Sequence, residues 1–503
     1  MIRTFAIRPI QKRVVSSFHP FFIFLILISI PTKASFEFTT TNLSAYAALL
    51  ELKVDKGETL LKKSIAEDPN NGITILLENY ADAIRIFLSE DEVLFNKLSR
   101  REDQRIKKLQ QLDKNSPYFL YTQAEIKMHW AILKLKIGNE LSAFTTLRAA
   151  YKLLEENEKK FPEFIPTKKS LGLLNVLLGS IPSNYTWALS FLGMEGDIDK
   201  GLSQLALVSN SPTPFKLEGL VIQTIVVNYI VHAQEGKMEL AKNLYGSNTS
   251  NIILTYLYAA ILTKNSKGAE ALSVIQNRVQ DSAFLYFPHI DLLLGELYLY
   301  KGDWEKSRNH YLTFLSHFKG KNSLKDTYFK LFLTYWMAGE NDMAMRYFTK
   351  ITSVGKTLYD SDKQAQRLAK NQELPNVVIT RIRLYTDGGY FENAFEYLQP
   401  ISLGQFKTKK DKLEYLYRSA RLYHKVGRLN DAITYYEKTI ELTKEETYYF
   451  AANSALQLGY IHQQANQKEE ARTYFTLALS YKNHEYKNSI DNKAKAALNE
   501  LKK

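Results

Sequence analysis

One spacing recurs along the chain and constrains its fold more than any other feature. A small residue at an expected turn is followed five residues later by Ala, and four residues after that by a large apolar residue. Seven copies keep these offsets, two of them with one substitution: Gly138, Ala143, Leu147; Gly236, Ala241, Tyr245; Gly302, Ser307, Tyr311; Gly339, Ala344, Phe348; Gly389, Ala394, Leu398; Gly427, Ala432, Tyr436; and Asn466, Ala471, Phe475.

The spacing is typical of a helix hairpin. Gly or Asn suits the left-handed position that ends a first helix, called helix A here. The following helix B needs a small residue where it crosses helix A closely, and a large side chain one turn later fills the space between them. Hairpins that repeat in phase stack on their neighbours. The sequence therefore predicts an all-α, right-handed superhelical solenoid of helix hairpins.

Composition agrees with a folded helical protein. The chain has 503 residues, 45% of them hydrophobic and 24% charged, which excludes a largely disordered protein. Gly (22) and Pro (13) are too few for a fold of many short strands and turns. The absence of Cys excludes disulfides, thiolate metal sites and cysteine nucleophiles.

Three segments resemble tetratricopeptide repeats (TPRs). Residues 413–442 hold Ala420, Tyr423, Gly427, Ala432 and Tyr436 in the register of that family, and residues 291–315 and 453–479 are further strong matches. The resemblance implies a TPR-like solenoid that binds a protein or peptide partner.

A second resemblance covers residues 170–205, which are similar to the central segment of the tetratricopeptide-repeat protein 39 family. The residues that carry it are Gly172, Pro182, Leu192, Gly193, Gly196, Asp197, Gly201, Leu202 and Leu205. This resemblance implies a non-enzymatic adaptor.

The N-terminus has the pattern of a secretory signal peptide. Four basic residues precede an apolar run at 21–30, and Ala34 offers a small residue for cleavage. We therefore expect an exported protein, in a bacterial periplasm, with residues 1–34 removed. The alternative is an uncleaved N-terminal membrane anchor.

Three regions are expected. Residues 1–34 form the signal peptide, 35–210 an N-terminal helical region with irregular hairpins, and 211–503 a TPR-like solenoid closed by a capping helix near 488–502. The apolar stretch 170–196 is interpreted as a buried hairpin, with a membrane-touching hairpin as the alternative.

Charge argues against a nucleic-acid partner. Residues 1–34 carry five basic and no acidic residues, so their removal lowers the net charge from +13 to +8, and the remaining charges are dispersed.

Motifs for catalysis or for cofactor and metal binding are not found. The histidines are scattered, and the sequence has neither a Gly-rich phosphate loop nor a nucleophile elbow. The prediction is a non-catalytic scaffold without a cofactor. An enzyme on an α/α scaffold is the further alternative, and it would need two carboxylates in a deep pocket.

The candidate binding surface is the concave side of the solenoid, where A helices are exposed. Eight residues of the last two A helices are predicted to face a partner there: Tyr417, Arg421, His424, Lys425, Asn453, Gln457, Tyr460 and Gln464. Aromatic, basic and amide side chains suit a peptide and its carboxylates.

Overall fold

The computed structural model describes residues 35–181, 193–231, 237–443 and 448–501. Within these ranges the regular elements are helices and no β-strand occurs, which confirms the predicted all-α superhelical fold. Residues 35–503 form one compact unit. The predicted signal peptide (1–34), Gly236, and the segment 182–192 with Pro182 and Leu192 lie outside the described residues.

The N-terminal helices are α1 (Thr40–Leu50), α2 (Val54–Glu67), α3 (Gly72–Ser89), α4 (Glu92–Leu98), α5 (Arg101–Leu109), α6 (Pro117–Lys136), α7 (Glu140–Lys160), α8 (Ile165–Gly179), α9 (Ile198–Asn210), α10 (Lys216–Tyr229) and α11 (Lys237–Ser247).

The C-terminal helices are α12 (Ile252–Lys264), α13 (Gly268–Gln276), α14 (Pro288–Lys301), α15 (Trp304–His317), α16 (Leu324–Ala338), α17 (Asn341–Lys350), α18 (Asp360–Lys370), α19 (Val377–Gly388), α20 (Phe391–Leu398), α21 (Lys409–Lys425), α22 (Leu429–Leu442), α23 (Phe450–Gln464), α24 (Lys468–Ser480) and α25 (Lys487–Glu500).

The predicted turn residues have the backbone that the hairpin requires. Gly302, Gly339, Gly389 and Gly427 have φ between 77° and 83°, and Asn466 has φ 58°. This left-handed region costs Gly nothing and Asn little, so each residue ends helix A without strain. The predicted boundaries between A and B helices are confirmed at these positions.

The small residues of the B helices lie at the predicted close crossings. Ala344, Ala394, Ala432 and Ala471 are completely buried, and so is Ser307. The large residue one turn later is buried as well, as in Tyr311 and Phe475. The recurring spacing therefore corresponds to direct packing of helix B against helix A in each of these hairpins.

Two further hairpins keep the same offsets with a different turn residue. Ser266 (φ 58°) precedes the fully buried Ala271 and Ile275, and Leu52 (φ 59°) precedes the buried Gly57 and Leu61. The search for Gly or Asn at the turn missed both, because here other residues adopt the left-handed backbone.

The stretch 353–375, which separates two hairpins, contains helix α18. Asp362 on α18 is fully buried, and its carboxylate accepts hydrogen bonds from the backbone N–H of Ser323 (2.8 Å) and Asp326 (3.0 Å). It thereby caps α16 from another helix. At its other end, Arg367 forms an ion pair with Glu485 (2.5 Å) just before α25.

The N-terminal helices also contact the middle of the chain. The carboxylate of Glu92 pairs with Lys321 (2.6 Å) and Lys356 (2.8 Å), and hydrogen bonds from these two ammonium groups lower the pKa of Glu92. The side chain of Asn322 donates to Glu90 (2.7 Å). Helix α4 and Glu90 just before it are therefore tied directly to loops that lie more than 200 residues further along the chain.

The predicted capping helix is α25. Ala494, Ala497 and Leu501 are buried against α23 and α24, and Leu498 packs beside them. Its apolar stripe thus covers the end of the stack.

The first half of the 170–196 segment is part of the core. Leu171, Leu174, Val176 and Leu178 on α8 are buried, and α8 packs on α9. In the part of the chain that the structure describes, no helix is both long and apolar enough to span a bilayer.

We expect Gly201→Ala to destabilise the protein. A Cβ at Gly201 would lie 2.6 Å from the carbonyl oxygen of Gly172 and 2.9 Å from the amide nitrogen of Val176, so α8 and α9 would have to separate. Overpacking of this kind costs about 1–3 kcal/mol, measured as the unfolding free energy in urea.

Gly246→Ala is the matched control, because nothing lies within 4 Å of a Cβ at this exposed position of α11. It should stabilise the helix by about 0.5–1 kcal/mol. Equal effects of the two substitutions would contradict the close crossing.

Candidate functional site

The A helices line a continuous groove. Two adjoining cavities of about 350 Å³ each share Glu296, Tyr300 and Asp387 in their walls. One cavity extends over α16, α18, α19, α21 and α23, and the other over α10, α12 and α14.

The lining follows the register of the hairpins. Residues ten, six and two positions before each turn residue face the groove: Tyr256, Ala260 and Lys264 on α12; Leu292, Glu296 and Tyr300 on α14; Phe329 and Leu333 on α16; Arg383 and Asp387 on α19; and Tyr417 and Arg421 on α21. Since the contact with helix B fixes the rotation of each A helix, the same helical positions recur at the surface.

Two ion clusters in the groove are internally compensated. Lys330 binds both Asp326 (3.0 Å) and Glu296 (3.1 Å), and although burial opposes its charge, these carboxylates hold the pKa of Lys330 well above its usual range. Arg418 is buried and pairs with Glu414 (3.0 Å) while donating to the hydroxyl of Tyr449 (3.2 Å).

Arg421 lies in the groove as predicted. Its guanidinium is 3.5 Å from the carboxylate of Asp387, and both side chains are 31% exposed. Lys425, one turn further along α21, is exposed. His424 is half-buried beside the hydroxyl of Tyr436 (3.3 Å), and burial, followed by the charges of Lys425 and Arg421, lowers its pKa.

The prediction that Tyr417 presents its ring to a partner is wrong. The side chain is completely buried, with its ring 5.4 Å from that of Phe450 and 5.6 Å from that of Tyr449. The next hairpin covers it, so Tyr417 is the floor of the groove. Its hydroxyl accepts a hydrogen bond from Asn453 (2.7 Å), and Asn453 itself lines the cavity.

The remaining three predicted residues lie towards the end of α23. Gln457 donates to Asn453 (3.4 Å), and Gln464 is exposed. Tyr460 is half-buried with its ring 5.2 Å from that of Phe475, and burial raises its pKa to about 12. Because Tyr460 packs beside the capping helix, its face of α23 is partly occupied by the chain itself.

Several groove residues were missed by sequence reasoning. Arg383 and Asp387 stand six and two positions before Gly389, as Arg421 and Lys425 stand before Gly427. The register could have found them. Gln364 comes from α18, and no periodic signal marks it.

A second polar cluster lies in the core of the N-terminal half. The ammonium of Lys169 on α8 donates to Glu125 (2.6 Å), Glu218 (2.8 Å) and the hydroxyl of Tyr80 (3.2 Å). Tyr46 and Tyr80 donate to the other oxygen of Glu218 at 2.6 and 2.8 Å. All three hydrogen-bond donors of this buried lysine are thus satisfied.

The charges of this cluster stabilise one another. Burial alone would lower the pKa of Lys169, but Glu125 and Glu218 hold it above its ordinary value. Burial alone would raise the pKa of Glu218, but Lys169 holds it below its ordinary value.

Glu125, His129 and Glu218 bring potential metal-ligand atoms within 4.8 Å of one another. The Lys169 ammonium already bridges the two carboxylates. The ring nitrogen Nδ1 of His129 accepts from Asn79 (3.0 Å), whose side-chain oxygen in turn accepts from Trp130 (2.9 Å). This arrangement favours an internal salt bridge over a metal site.

Comparisons with known proteins identify the repeat. The described chain is an array of helix hairpins, and residues 411–483 match the family model "Tetratricopeptide repeat". Residues 411–483 are therefore tetratricopeptide repeats. No curated protein matches it, and the resemblance of residues 170–205 to the tetratricopeptide-repeat protein 39 family stays a prediction.

Solved structures with a similar helical arrangement have low identity. The apo quorum sensor NprR from B. thuringiensis is 14% identical, with a TM-score of 0.30, covering 80% of this chain and 98% of its own. Human IFIT1 with PPP-AAAA is 15% identical, with a TM-score of 0.32, covering 84% and 90%. A Rap protein complexed with Competence and Sporulation Factor is 12% identical, with a TM-score of 0.32, covering 80% and 97%. Superpositions this loose identify no shared function.

We expect Lys169→Met to destabilise the protein by about 3–5 kcal/mol at pH 7, because it leaves two buried carboxylates without their counter-ion. Lys267→Met is the control, since Lys267 and Glu270 form an exposed pair at 3.7 Å whose loss costs about 0–1 kcal/mol. Urea unfolding of both variants gives the comparison.

The loss caused by Lys169→Met should shrink as the pH falls below about 4.5, the ordinary pKa of a glutamate. In the wild type, the lowered pKa of Glu218 means that its contribution is complete above this value and is lost during acidification. A difference between wild type and variant that stays constant from pH 7 to pH 3 would contradict the ion cluster.

Proposed function

We propose that the chain is a non-catalytic scaffold that binds a peptide segment of a partner protein in the groove of its A helices. The observation that carries this proposal is the continuity of the groove: residues at the same register positions of successive A helices line two adjoining cavities. An extended peptide matches such a surface better than a compact ligand does, because it can run along several helices.

The chemistry of the walls supports the same ligand. Half-buried Asn453 and Gln364 offer amide groups to a peptide backbone, and Tyr300 and Tyr486 offer aromatic surface. Such polar and aromatic groups fix the orientation of a bound chain while apolar contacts contribute affinity.

An enzyme is the less favoured alternative. The carboxylates Glu296 and Asp326 share the ammonium of Lys330, and Asp387 lies beside Arg421. All three therefore stand next to a positive charge, whereas a general acid needs an environment that favours its protonated form.

We also propose that residues 1–34 direct the protein out of the cytoplasm, as a cleaved secretory signal of a periplasmic protein. The basic start, short apolar run and small-residue exit support this. A membrane-associated adaptor held by an uncleaved N-terminus is the alternative. The 170–196 hairpin gives that alternative less support, because its first half is buried in the core.

Selection from a random peptide display library tests the groove. We expect the selected peptides to bind the wild-type chain and to lose at least about tenfold in affinity for Ser361→Trp, because Ser361 is an exposed residue of the cavity wall and indole would fill the space. The matched control is Thr349→Trp, at an exposed position of B helix α17. Equal binding to both variants, or no selected peptide, would refute peptide binding in the groove.

Mass spectrometry of the protein from its native cell tests export. We expect a mature N-terminus at Ser35 in a membrane-free fraction, because cleavage follows Ala34. Recovery of the intact N-terminus in the membrane fraction would instead support the anchored adaptor.

A further inference from the structure

Four cations of α19, α21 and the capping helix α25, here called the basic cluster, have between them one carboxylate as an ion-pair partner. Arg383 and Arg421 line the cavity, and Lys425 follows Arg421 on the same helix. Lys493 on α25 is close enough to Arg421 for the charge of Arg421 to lower its pKa. The carboxylate is Asp387, 3.5 Å from Arg421. Among the described residues no carboxylate forms an ion pair with Arg383, Lys425 or Lys493.

In the cavity that contains Arg383 and Arg421, the excess of positive charge comes from this basic cluster. The other cations of the same cavity, Lys330 and Arg418, are held by carboxylates at 3.0–3.1 Å. The quartet has only Asp387, and the contact at 3.5 Å is long for a charge-assisted hydrogen bond.

The cations of the cluster repel one another. Desolvation, followed by the positive charge of Arg421, lowers the pKa of the half-buried Lys493. An anionic group placed among them would relieve this repulsion, and desolvated charge pairs are stronger than exposed ones.

We propose that the basic cluster binds side-chain carboxylates of an acidic peptide segment lying in the groove. This inference rests on the proposed function and gives the class of its ligand. The guanidinium groups of Arg383 and Arg421 can each donate two parallel hydrogen bonds to a carboxylate, and Lys425 and Lys493 add point charges.

The groove favours a peptide over a nucleic acid of equal charge. Asp387 lies within the cluster, and Glu296 lies in the wall that both cavities share. A nucleic acid has a negative phosphate at every nucleotide, so some phosphates would lie next to these carboxylates and be repelled by them. An acidic peptide can place its charges elsewhere, and its backbone N–H groups can donate hydrogen bonds to Asp387.

Fluorescence anisotropy with four labelled probes of ten units tests the proposal on the chain lacking residues 1–34: a peptide of alternating Glu and Ala, the same peptide with Gln, the same with Lys, and oligouridine. We expect the Glu peptide to bind at least about tenfold more tightly than the Gln peptide at low salt, with the difference decreasing as salt is added.

Substitutions assign the effect to the basic cluster. Arg421→Gln and Arg383→Gln should each weaken binding of the Glu peptide several-fold, while Arg346→Gln, at an exposed position of α17, should leave it unchanged. Asp387→Asn should strengthen binding, because it removes the competing carboxylate. A misfolded variant could not produce that gain.

Equal affinity for the Glu and Gln peptides, or tighter binding of the Lys peptide or oligouridine, would overturn the acidic-peptide inference. The inference would also be overturned if Arg421→Gln and Asp387→Asn left the affinity for the Glu peptide unchanged. Peptides from the display selection that bind the groove without carboxylates would leave the proposed function in place. The proposed function is refuted only if no selected peptide loses affinity when the groove is filled by Ser361→Trp.

Discussion

The close crossing of two helices at a small side chain sets the geometry of the repeats. Glycine on an A helix receives an aromatic ring from its B helix: a Cβ at Gly295 would lie 2.6 Å from Tyr311, and one at Gly459 would lie 2.5 Å from Phe475. A small residue on one helix and a large one on the other fix the rotation of both. The opposite face of each A helix is then fixed too, and that face lines the groove.

Sequence reasoning found the hairpins because their crossing imposes fixed offsets on Gly427, Ala432 and Tyr436 and on their counterparts. It placed Arg421 in the groove wall by the same register, whereas Asn453, which also lines the cavity, lies thirteen positions before Asn466 and outside that register. It misplaced Tyr417, because burial of that ring depends on Tyr449 and Phe450 of the following hairpin. The positions of Lys493 and α18 depend on the path of segments outside the repeats. Local periodicity in the sequence does not predict that path.

The N-terminal half departs from the repeat pattern and uses a different device. Lys169 joins Tyr80 of α3, Glu125 of α6 and Glu218 of α10, and Tyr46 of α1 donates to Glu218. Apolar contacts tolerate many orientations of packed helices, whereas an ammonium with three fixed acceptors tolerates few. The repeat spacing does not fix how these N-terminal helices are oriented relative to one another. We infer that the hydrogen bonds of Lys169 fix that orientation.

In a linear solenoid each repeat contacts only its neighbours, so small changes at each interface can add up to a large change in the length of the array. Here Glu92 pairs with Lys356, 264 residues away, and Arg367 on α18 pairs with Glu485. These ion pairs join segments far apart in the sequence, which contacts between neighbouring repeats alone would not do. Such ties oppose the movement of whole repeats relative to one another, so we expect adaptation to a ligand to come mainly from the rotamers of the long side chains in the groove walls.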